Sequence, residues 1–201
     1  VSAPANVNIE YAVQAPIATN NTSLANASGA VTQQVITEDD GAGLDSDPDG
    51  ALVASSIDLD PLTAGQQTSL VVAGEGTWTV DGAGNVTFTP VATFNDDPTA
   101  ITYTIKDNDG NVSNTATIAV DYVPVATADA STGNTTNNPV TVNVLTNDLT
   151  GDVVDPTTVQ IVGADAGSNG LTKTVPGEGT WTVDPMTGAI TFTPVLGFTA
   201  N

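Results

Sequence analysis

The sequence predicts an all-β protein made of tandem Ig-like β-sandwich domains, each with about seven antiparallel strands. Composition is the first reason: threonine and valine are abundant, whereas leucine, lysine, glutamate and arginine are scarce. β-Branched side chains fit the pleated surface of a sheet and lose rotamer freedom in helices. The second reason is that apolar residues alternate with polar ones, and the third is the regular recurrence of turn residues. No segment has the pattern of an amphipathic helix.

Alternation of apolar and polar residues marks the strands along the chain. Ile101, Tyr103 and Ile105, for example, alternate with threonines. The clear runs are Val7–Val13, Trp78–Val80, Val86–Phe88, Ile101–Lys106 and Thr115–Tyr122, and weaker ones lie near 30–37, 55–59 and 68–73. Without the first run, about seven short strands fall within about one hundred residues, as in an Ig-like sandwich.

Turn residues separate these strands. Asp81–Asn85 and Asp184–Gly188 each stand between a tryptophan strand and a phenylalanine strand, where Gly and Asn tolerate a positive φ. Asp107–Asn111 has a similar composition and predicts the last hairpin. Pro16 and Pro124 follow predicted final strands, where a fixed φ stiffens a short linker.

A sequence repeat sets the predicted domain organisation. Gly74–Val80 and Gly177–Val183 are the same heptapeptide, Gly-Glu-Gly-Thr-Trp-Thr-Val, and contain both tryptophans of the chain. Each copy is followed by Thr-Phe-Thr-Pro, at Thr87–Pro90 and at Thr191–Pro194. A repeat period of about one hundred residues predicts tandem domains rather than one large fold.

A second match sets the predicted boundaries. The segment from Val1 resembles the one from Val112 in the spacing of its apolar residues. We therefore predict that residues 1–11 form the last strand of a preceding repeat and that residues 12–122 form a complete Ig-like repeat. Residues 123–201 are predicted to hold a second repeat that lacks its last two strands, within a longer tandem array.

Charge and composition exclude several function classes. The chain has 2 basic and 23 acidic residues and a net charge of −21 at pH 7. Nucleic acids and anionic membrane surfaces are unfavourable partners for such a chain because binding to them depends on Lys and Arg. Cysteine is absent, so no disulfide stabilises the domains. No apolar run is long enough to span a bilayer.

The residue types also argue against catalysis, and we expect no enzyme. Histidine and cysteine are absent, so the commonest general base and the strongest nucleophile are missing. Carboxylate pairs could serve glycoside hydrolysis. Most acidic residues, however, lie in turns together with Gly and Asn, where capping and solvation explain them.

An acidic loop, Asp45–Gly50, is the candidate metal site. Carboxylates at alternate residues followed by glycine are typical of the start of a calcium loop. The predicted ligands are Asp45, Asp47 and Asp49, with Asp39, Asp40 and Asp58 to complete the shell of a structural Ca²⁺ ion. The bidentate acid of an EF-hand is missing because Ser56 stands at its position. A solvated acidic loop without metal is the open alternative.

Strand counting predicts where these acidic segments lie. It places the loop 38–54 and the turn 107–111 at opposite ends of the repeat, each facing a neighbouring repeat. Acidic groups that meet at such junctions repel each other unless a divalent cation lies between them. For Asp107–Asp109 itself, an ordinary β-turn is the favoured interpretation.

The motifs resemble those of a known family. The heptapeptide with Thr-Phe-Thr-Pro, extended by Ile101–Asn111 and Val142–Asp148, resembles the CshA-type fibril repeat of bacterial surface adhesins. The resemblance implies a large exported protein whose repeats form a stalk that holds an adhesive tip away from the cell. It implies an extracellular location on the bacterial surface and neighbouring repeats as partners. It does not support the acidic loop, because the first repeat departs from the pattern between Thr37 and Ser55.

Two other functions stay open at this point. The repeat could bind a glycan or a host protein through its end loops, or copies could associate laterally into fibrils or a biofilm matrix through edge strands such as Thr87–Pro90 and Thr191–Pro194. Trp78 and Trp181 are predicted to be core anchors between sheets. An exposed aromatic that stacks on sugar is the alternative for them.

Overall fold

A computed structural model of the chain describes residues 6–9 and 12–199. The chain divides into two compact units, Val1–Asp121 (unit 1) and Tyr122–Asn201 (unit 2). No helix among the described residues is both long enough and apolar enough to cross a membrane.

The strands of unit 1 form two four-stranded sheets. The strands are β1 (Asn21–Asn26), β2 (Val31–Gln34), β3 (Leu52–Asp58), β4 (Ser69–Val72), β5 (Gly76–Val80), β6 (Asn85–Pro90), β7 (Ile101–Asp107) and β8 (Ala116–Tyr122). The strand order is β1-β8-β7-β3 in one sheet, which we call the Tyr sheet, and β2-β6-β5-β4 in the other, which we call the Trp sheet.

Alternate side chains of the two sheets form the core of unit 1. The Tyr sheet buries one face of β7 and β8, whereas the Trp sheet buries Trp78, Val86 and Phe88. The Gln33 side chain of β2 donates a hydrogen bond of 2.8 Å to the Ala119 carbonyl of β8, so it links the two sheets. These observations confirm the all-β sandwich that the alternation predicts.

Unit 1 departs from the predicted strands at two places. It contains β1, for which the alternation marked no segment, because Asn21–Asn26 is polar and has few apolar side chains. In the predicted strand Val7–Val13, the described residues 7–9, 12 and 13 are outside strands, and Val7 and Val13 are exposed. Glu10 and Tyr11, which belong to that prediction, lie outside the described residues.

Unit 2 repeats the Trp sheet. Its strands β9 (Val140–Val142), β10 (Thr172–Val175), β11 (Gly179–Val183) and β12 (Ile190–Pro194) have the order β10-β11-β12-β9, which is the order β4-β5-β6-β2 of unit 1. The registers agree, because Trp181 pairs with Phe192 as Trp78 pairs with Phe88. A hydrogen bond between two threonine hydroxyls is also repeated. The hydroxyl oxygens are 2.8 Å apart for Thr32 and Thr87 and 2.8 Å apart for Thr141 and Thr191.

The described part of unit 2 has no counterpart of the Tyr sheet. The segments that correspond to β1 and β3 are present in the sequence, but they are not strands. Pro156–Thr158, in the second of these segments, forms a single 3-10 turn. In unit 1 the strands β1 and β3 are the edges of the Tyr sheet, so each of them depends on β8 or β7 for its backbone partners.

Candidate functional site

Asp45, the first predicted calcium ligand, is a buried structural carboxylate with 7% of its surface exposed. It accepts hydrogen bonds from the Thr19 N–H at 2.7 Å and from the Tyr103 hydroxyl at 2.9 Å. Tyr103 lies on β7, and Asn21 donates to its hydroxyl at 3.1 Å. Asp45 therefore joins the segment that enters unit 1 to the middle of the Tyr sheet.

Burial dominates the ionisation of this pair. Loss of water around Asp45 raises the pKa of its carboxyl, and the hydrogen bonds from Thr19 and Tyr103 act in the opposite direction. Burial, together with the nearby Asp45 charge, raises the pKa of Tyr103 far above its usual value. The Tyr103 hydroxyl is therefore protonated at neutral pH, where it can donate to Asp45.

Unit 2 contains the counterpart of this anchor. The Thr127 N–H donates to Asp148 at 2.5 Å, as the Thr19 N–H donates to Asp45. Each entering segment also forms one isolated β-bridge, Ile17 with Ser46 and Val125 with Thr150. An alignment on Pro16 and Pro124 matches Thr19 with Thr127 but not the two aspartates, because Asp45 is 29 residues after Pro16 and Asp148 is 24 residues after Pro124.

Four other predicted ligands accept hydrogen bonds from backbone N–H groups. Asp39 accepts from Gly41 and Gly43, Asp40 from Thr22, Asp49 from Gln14, and Asp58 from Asp60 and Gln67. Asp58 is the last residue of β3, and β3 begins just after the acidic loop. A strand of that length is about 20 Å long, so Asp58 lies at its far end from the loop. Within residues 6–9 and 12–199, no group of three or more Asp, Glu, His or Cys side chains is arranged to hold a metal ion.

Asp47 differs from these residues. Its Oδ2 atom is buried and has no hydrogen-bond partner among the described residues. A Cβ on Gly50 would lie 2.6 Å from this atom and 2.4 Å from Asn108 Oδ1. Any side chain at position 50 would therefore force the Asp47 and Asn108 side chains to move.

The acidic loop and the turn 107–111 lie together, so the prediction that they lie at opposite ends of the repeat is wrong. Asn108 N–H donates to the Ala51 carbonyl at 2.9 Å, and its side-chain oxygen accepts from Ala51 N–H at 2.8 Å. The reason is that β3 and β7 are antiparallel partners, which places the start of β3 beside the end of β7. Strand counting failed because it did not include β1.

The turns Asp81–Asn85 and Asp107–Asn111 are the same self-contained structure. In each, one carboxylate oxygen of the first Asp accepts two backbone N–H groups, and the other accepts the Asn side chain at 2.7 Å. The Asn85 side chain is the main reason why the pKa of Asp81 is lowered. Burial acts to raise the pKa of Asp107, but the hydrogen bonds from Asn111 and its neighbours hold it below the usual value. These contacts agree with the β-turn interpretation.

The repeated heptapeptide builds a packed aromatic pair. Trp78 packs on Phe88 with ring centroids 4.9 Å apart, and Phe94 contacts Phe88 in an edge-to-face arrangement with centroids 6.0 Å apart. Gly76 has no room for a side chain, because a Cβ there would lie 2.4 Å from the Thr89 carbonyl oxygen and 2.7 Å from the Phe88 ring. Trp78 is fully buried, which confirms its prediction as a core anchor.

Unit 2 contains the same aromatic group on an uncovered face. Trp181 packs on Phe192 at 4.6 Å, and Phe198 meets Phe192 at 5.6 Å. Nevertheless 38% of the Trp181 surface is exposed, so the prediction of a core anchor is wrong for this tryptophan. The physical reason is the absence of a facing sheet among the described residues of unit 2.

Comparison with known families identifies both repeats. The family model described as the surface adhesin CshA repetitive domain matches residues 13–120 and again residues 121–201. This family is not known for enzymatic activity. No curated protein and no solved structure matches the chain.

Proposed function

The chain belongs to the family of surface adhesin CshA repetitive domains, and on this basis we propose that its repeats are spacers in a stalk that projects a distal adhesive region from the bacterial surface. The function is then mechanical. Each folded repeat contributes a fixed length, and no side chain is needed as a catalytic group.

The short connection between the repeats is the observation that carries this proposal. Strand β8 ends at Tyr122, and the β-bridge of Val125 already belongs to unit 2. Only Val123 and Pro124 stand between these two points, and proline restricts its own φ and the conformation of the residue before it. Such a connection limits the angles that neighbouring repeats can explore.

Charge supports the same function. The net charge of −21 is spread over a chain with only two lysines, so similar repeats repel one another in solution. Repulsion of this kind disfavours misassembly between neighbouring domains of similar sequence, which is a hazard in tandem arrays. It also opposes lateral association between stalks, which is the competing homophilic function.

Small-angle scattering on engineered arrays of two, four and six complete repeats tests the spacer function. We expect the maximum dimension to rise linearly, by roughly 35–45 Å per repeat, since strands of 6–10 residues rise about 3.3 Å per residue. The matched control carries a Gly-Ser insertion of about eight residues after Val123, which should make growth fall below linear. Growth with the square root of repeat number in the uninterrupted array rules the proposal out.

We also propose calcium as the cation for the acidic loop. The unpartnered, buried Oδ2 atom of Asp47 beside the Asn108 side-chain oxygen supports this proposal. Both are the hard oxygen donors that Ca²⁺ prefers. Water or backbone carbonyls would have to supply the rest of a shell of six to eight oxygens.

A further inference from the structure

The uncovered face of the unit 2 Trp sheet forms an apolar groove of about 1030 Å³. Its floor includes Val140, Val142, Trp181, Ile190 and Phe192, and the segment 129–138 forms one wall. In a folded protein, a continuous apolar surface of this kind marks a place where another element packs.

Unit 1 shows which element covers the same face. There the Trp78–Phe88 pair lies opposite the Tyr sheet, whose central strands are β7 and β8. The side chains of these two strands that alternate inward are all buried: Ile101, Tyr103, Ile105, Ala116, Ile118, Val120 and Tyr122.

The segment of unit 2 that corresponds to β1 is not a strand, but it already has the local hydrogen bonds of β1. Ser131–Asn134 has the same side-chain bonds as Ser23–Asn26, with a positive φ at Gly133 and at Ala25. In unit 1 this turn contacts β8, because the Asn26 side chain donates to the Asp121 carbonyl at 2.9 Å.

The segment that corresponds to β3 also shares a local hydrogen bond with its counterpart. The Thr158 hydroxyl donates to the Asp155 carbonyl at 2.7 Å, as the Ser56 hydroxyl donates to the Val53 carbonyl at 2.7 Å. In unit 1 the Ser56 oxygen also accepts the Lys106 N–H of β7 at 2.8 Å. The 3-10 turn of unit 2 thus corresponds to the irregularity in β3 that receives β7.

The segment that follows the phenylalanine strand, and that leads to β7 in unit 1, also begins with the same packing in both units. Phe198 packs on Phe192 as Phe94 packs on Phe88, and Phe94 leads on towards β7. The Glu75 carboxylate then accepts hydrogen bonds from the backbone N–H and the hydroxyl of Thr99, both at 2.7 Å. Glu178, the counterpart of Glu75, lies at the groove.

We propose that this groove is a docking surface for one antiparallel strand pair with the inward pattern of β7 and β8, joined to the chain beyond Phe198. The pair enters between the Ser131–Asn134 turn and the Asp155–Thr158 turn and becomes the centre of a second sheet. This completion of unit 2 does not depend on the spacer function, and a failed scattering test would leave it standing.

The test extends the chain after Thr199 with a copy of its own residues 96–122. In a Trp78→Phe background, Trp181 is the only tryptophan. We expect its acrylamide quenching to fall several-fold, to the level of Trp78 in the Trp181→Phe protein. Hydrogen exchange is measured on the extended protein with both tryptophans retained. Residues 154–160 should exchange at least tenfold more slowly in it than in the unextended protein.

In the control extension, each residue of the strand pair swaps places with its neighbour in sequence. Length, charge and composition are kept, but the apolar side chains of both strands move to the opposite face. It should leave Trp181 accessible and the exchange of residues 154–160 unchanged. Equal protection by both extensions, or none by either, overturns the proposal. Protection that appears only with dimerisation in sedimentation velocity also overturns it.

Thr158→Val separates specific docking from apolar collapse, because it keeps the shape and removes the hydroxyl that would accept from the docked strand. We expect exchange in residues 154–160 to quicken several-fold more in the extended protein than in the unextended protein, where only the Thr158 hydrogen bond to the Asp155 carbonyl is lost. An unchanged rate in the extended protein contradicts the predicted position of the strand pair.

Discussion

Trp78 and Trp181 occupy the same position of the same heptapeptide, and each packs on a phenylalanine of the next strand. Trp78 has no exposed surface, whereas Trp181 exposes 38%. The geometry of the pair is therefore set by the local sequence and the hairpin. Burial is set by β7 and β8, which are distant in sequence from the motif and have no counterpart in the described part of unit 2.

Alanine at the two tryptophans gives the largest expected difference between the units. Trp78→Ala should lower the free energy of unfolding of unit 1 by about 3–5 kcal/mol, because it leaves a large cavity in a closed core. Trp181→Ala should cost clearly less in unit 2, since solvent already reaches the ring. Urea unfolding followed by circular dichroism measures both losses, and the remaining tryptophan reports the unfolding of the unchanged unit. Equal losses would mean that the Trp181 face is as well covered as that of Trp78.

Alanine at the matched glycines tests the shared part of the comparison. A Cβ would meet a carbonyl oxygen at 2.4 Å in both Gly76→Ala and Gly179→Ala, at Thr89 and Thr193. Overpacking of this kind costs about 1–3 kcal/mol. We expect the smaller loss for Gly179→Ala, because the less enclosed Phe192 ring can move away. Urea midpoints report the difference, and a larger loss at Gly179 would contradict this explanation.

Gln33 and Val142 occupy the same register position, Gln33 opposite β6 and Val142 opposite β12. Only Gln33 has a facing sheet with which its side chain can form a hydrogen bond. Gln33→Val should destabilise unit 1 by about 1–3 kcal/mol, because it leaves the Ala119 carbonyl without that donor. The reciprocal Val142→Gln should change unit 2 by less than about 0.5 kcal/mol. Thermal melts of both variants, compared with the parent chain, measure this. A neutral Gln33→Val would show that the bond between the sheets adds little.

The success of the sequence predictions follows the same division between local and distant effects. Alternation predicted the strands of the Trp sheet in unit 1, and the repeated motif predicted the Trp–Phe hairpin of unit 2, because those signals lie within adjacent strands. The polar strand β1 gave no such signal, since backbone pairing with β8 forms it. The aspartates of the acidic loop look alike in sequence. Only the fold shows that Asp45 accepts from Tyr103, that Asp58 lies at the far end of β3 and that Asp47 has an unpartnered oxygen.

The acid dependence of unit 1 should reflect its two matched turns. The pKa values of Asp81 and Asp107 are lowered, so their stabilising contributions are complete above the unfolded value of 3.8 and are lost as the pH falls through the folded pKa. Asp45, whose pKa is raised by burial, acts in the opposite direction over its own range. We expect Asp81→Asn to reduce the loss of stability between about pH 4 and pH 2. Urea midpoints across this range measure the change, with Asp96→Asn as the control for net charge. An unchanged acid profile contradicts the assigned role of the turn.

Calcium gives the smallest expected difference between the units. The Asp47–Asn108 pair belongs to unit 1 alone, so 1–2 mM Ca²⁺, which would saturate a site of the affinity seen in extracellular modules, should raise the melting temperature of unit 1 by a few degrees. Asp47→Asn should abolish this rise, whereas Asp152→Asn in unit 2 should preserve it. Differential scanning calorimetry after removal of bound metal, with Mg²⁺ as the ion control, measures the effect. The calcium proposal fails if excess chelator leaves the melting temperature of unit 1 unchanged, or if Asp47→Asn responds to Ca²⁺ as the parent chain does. A loop that needs no cation would then be held by Asp45 and by backbone bonds alone.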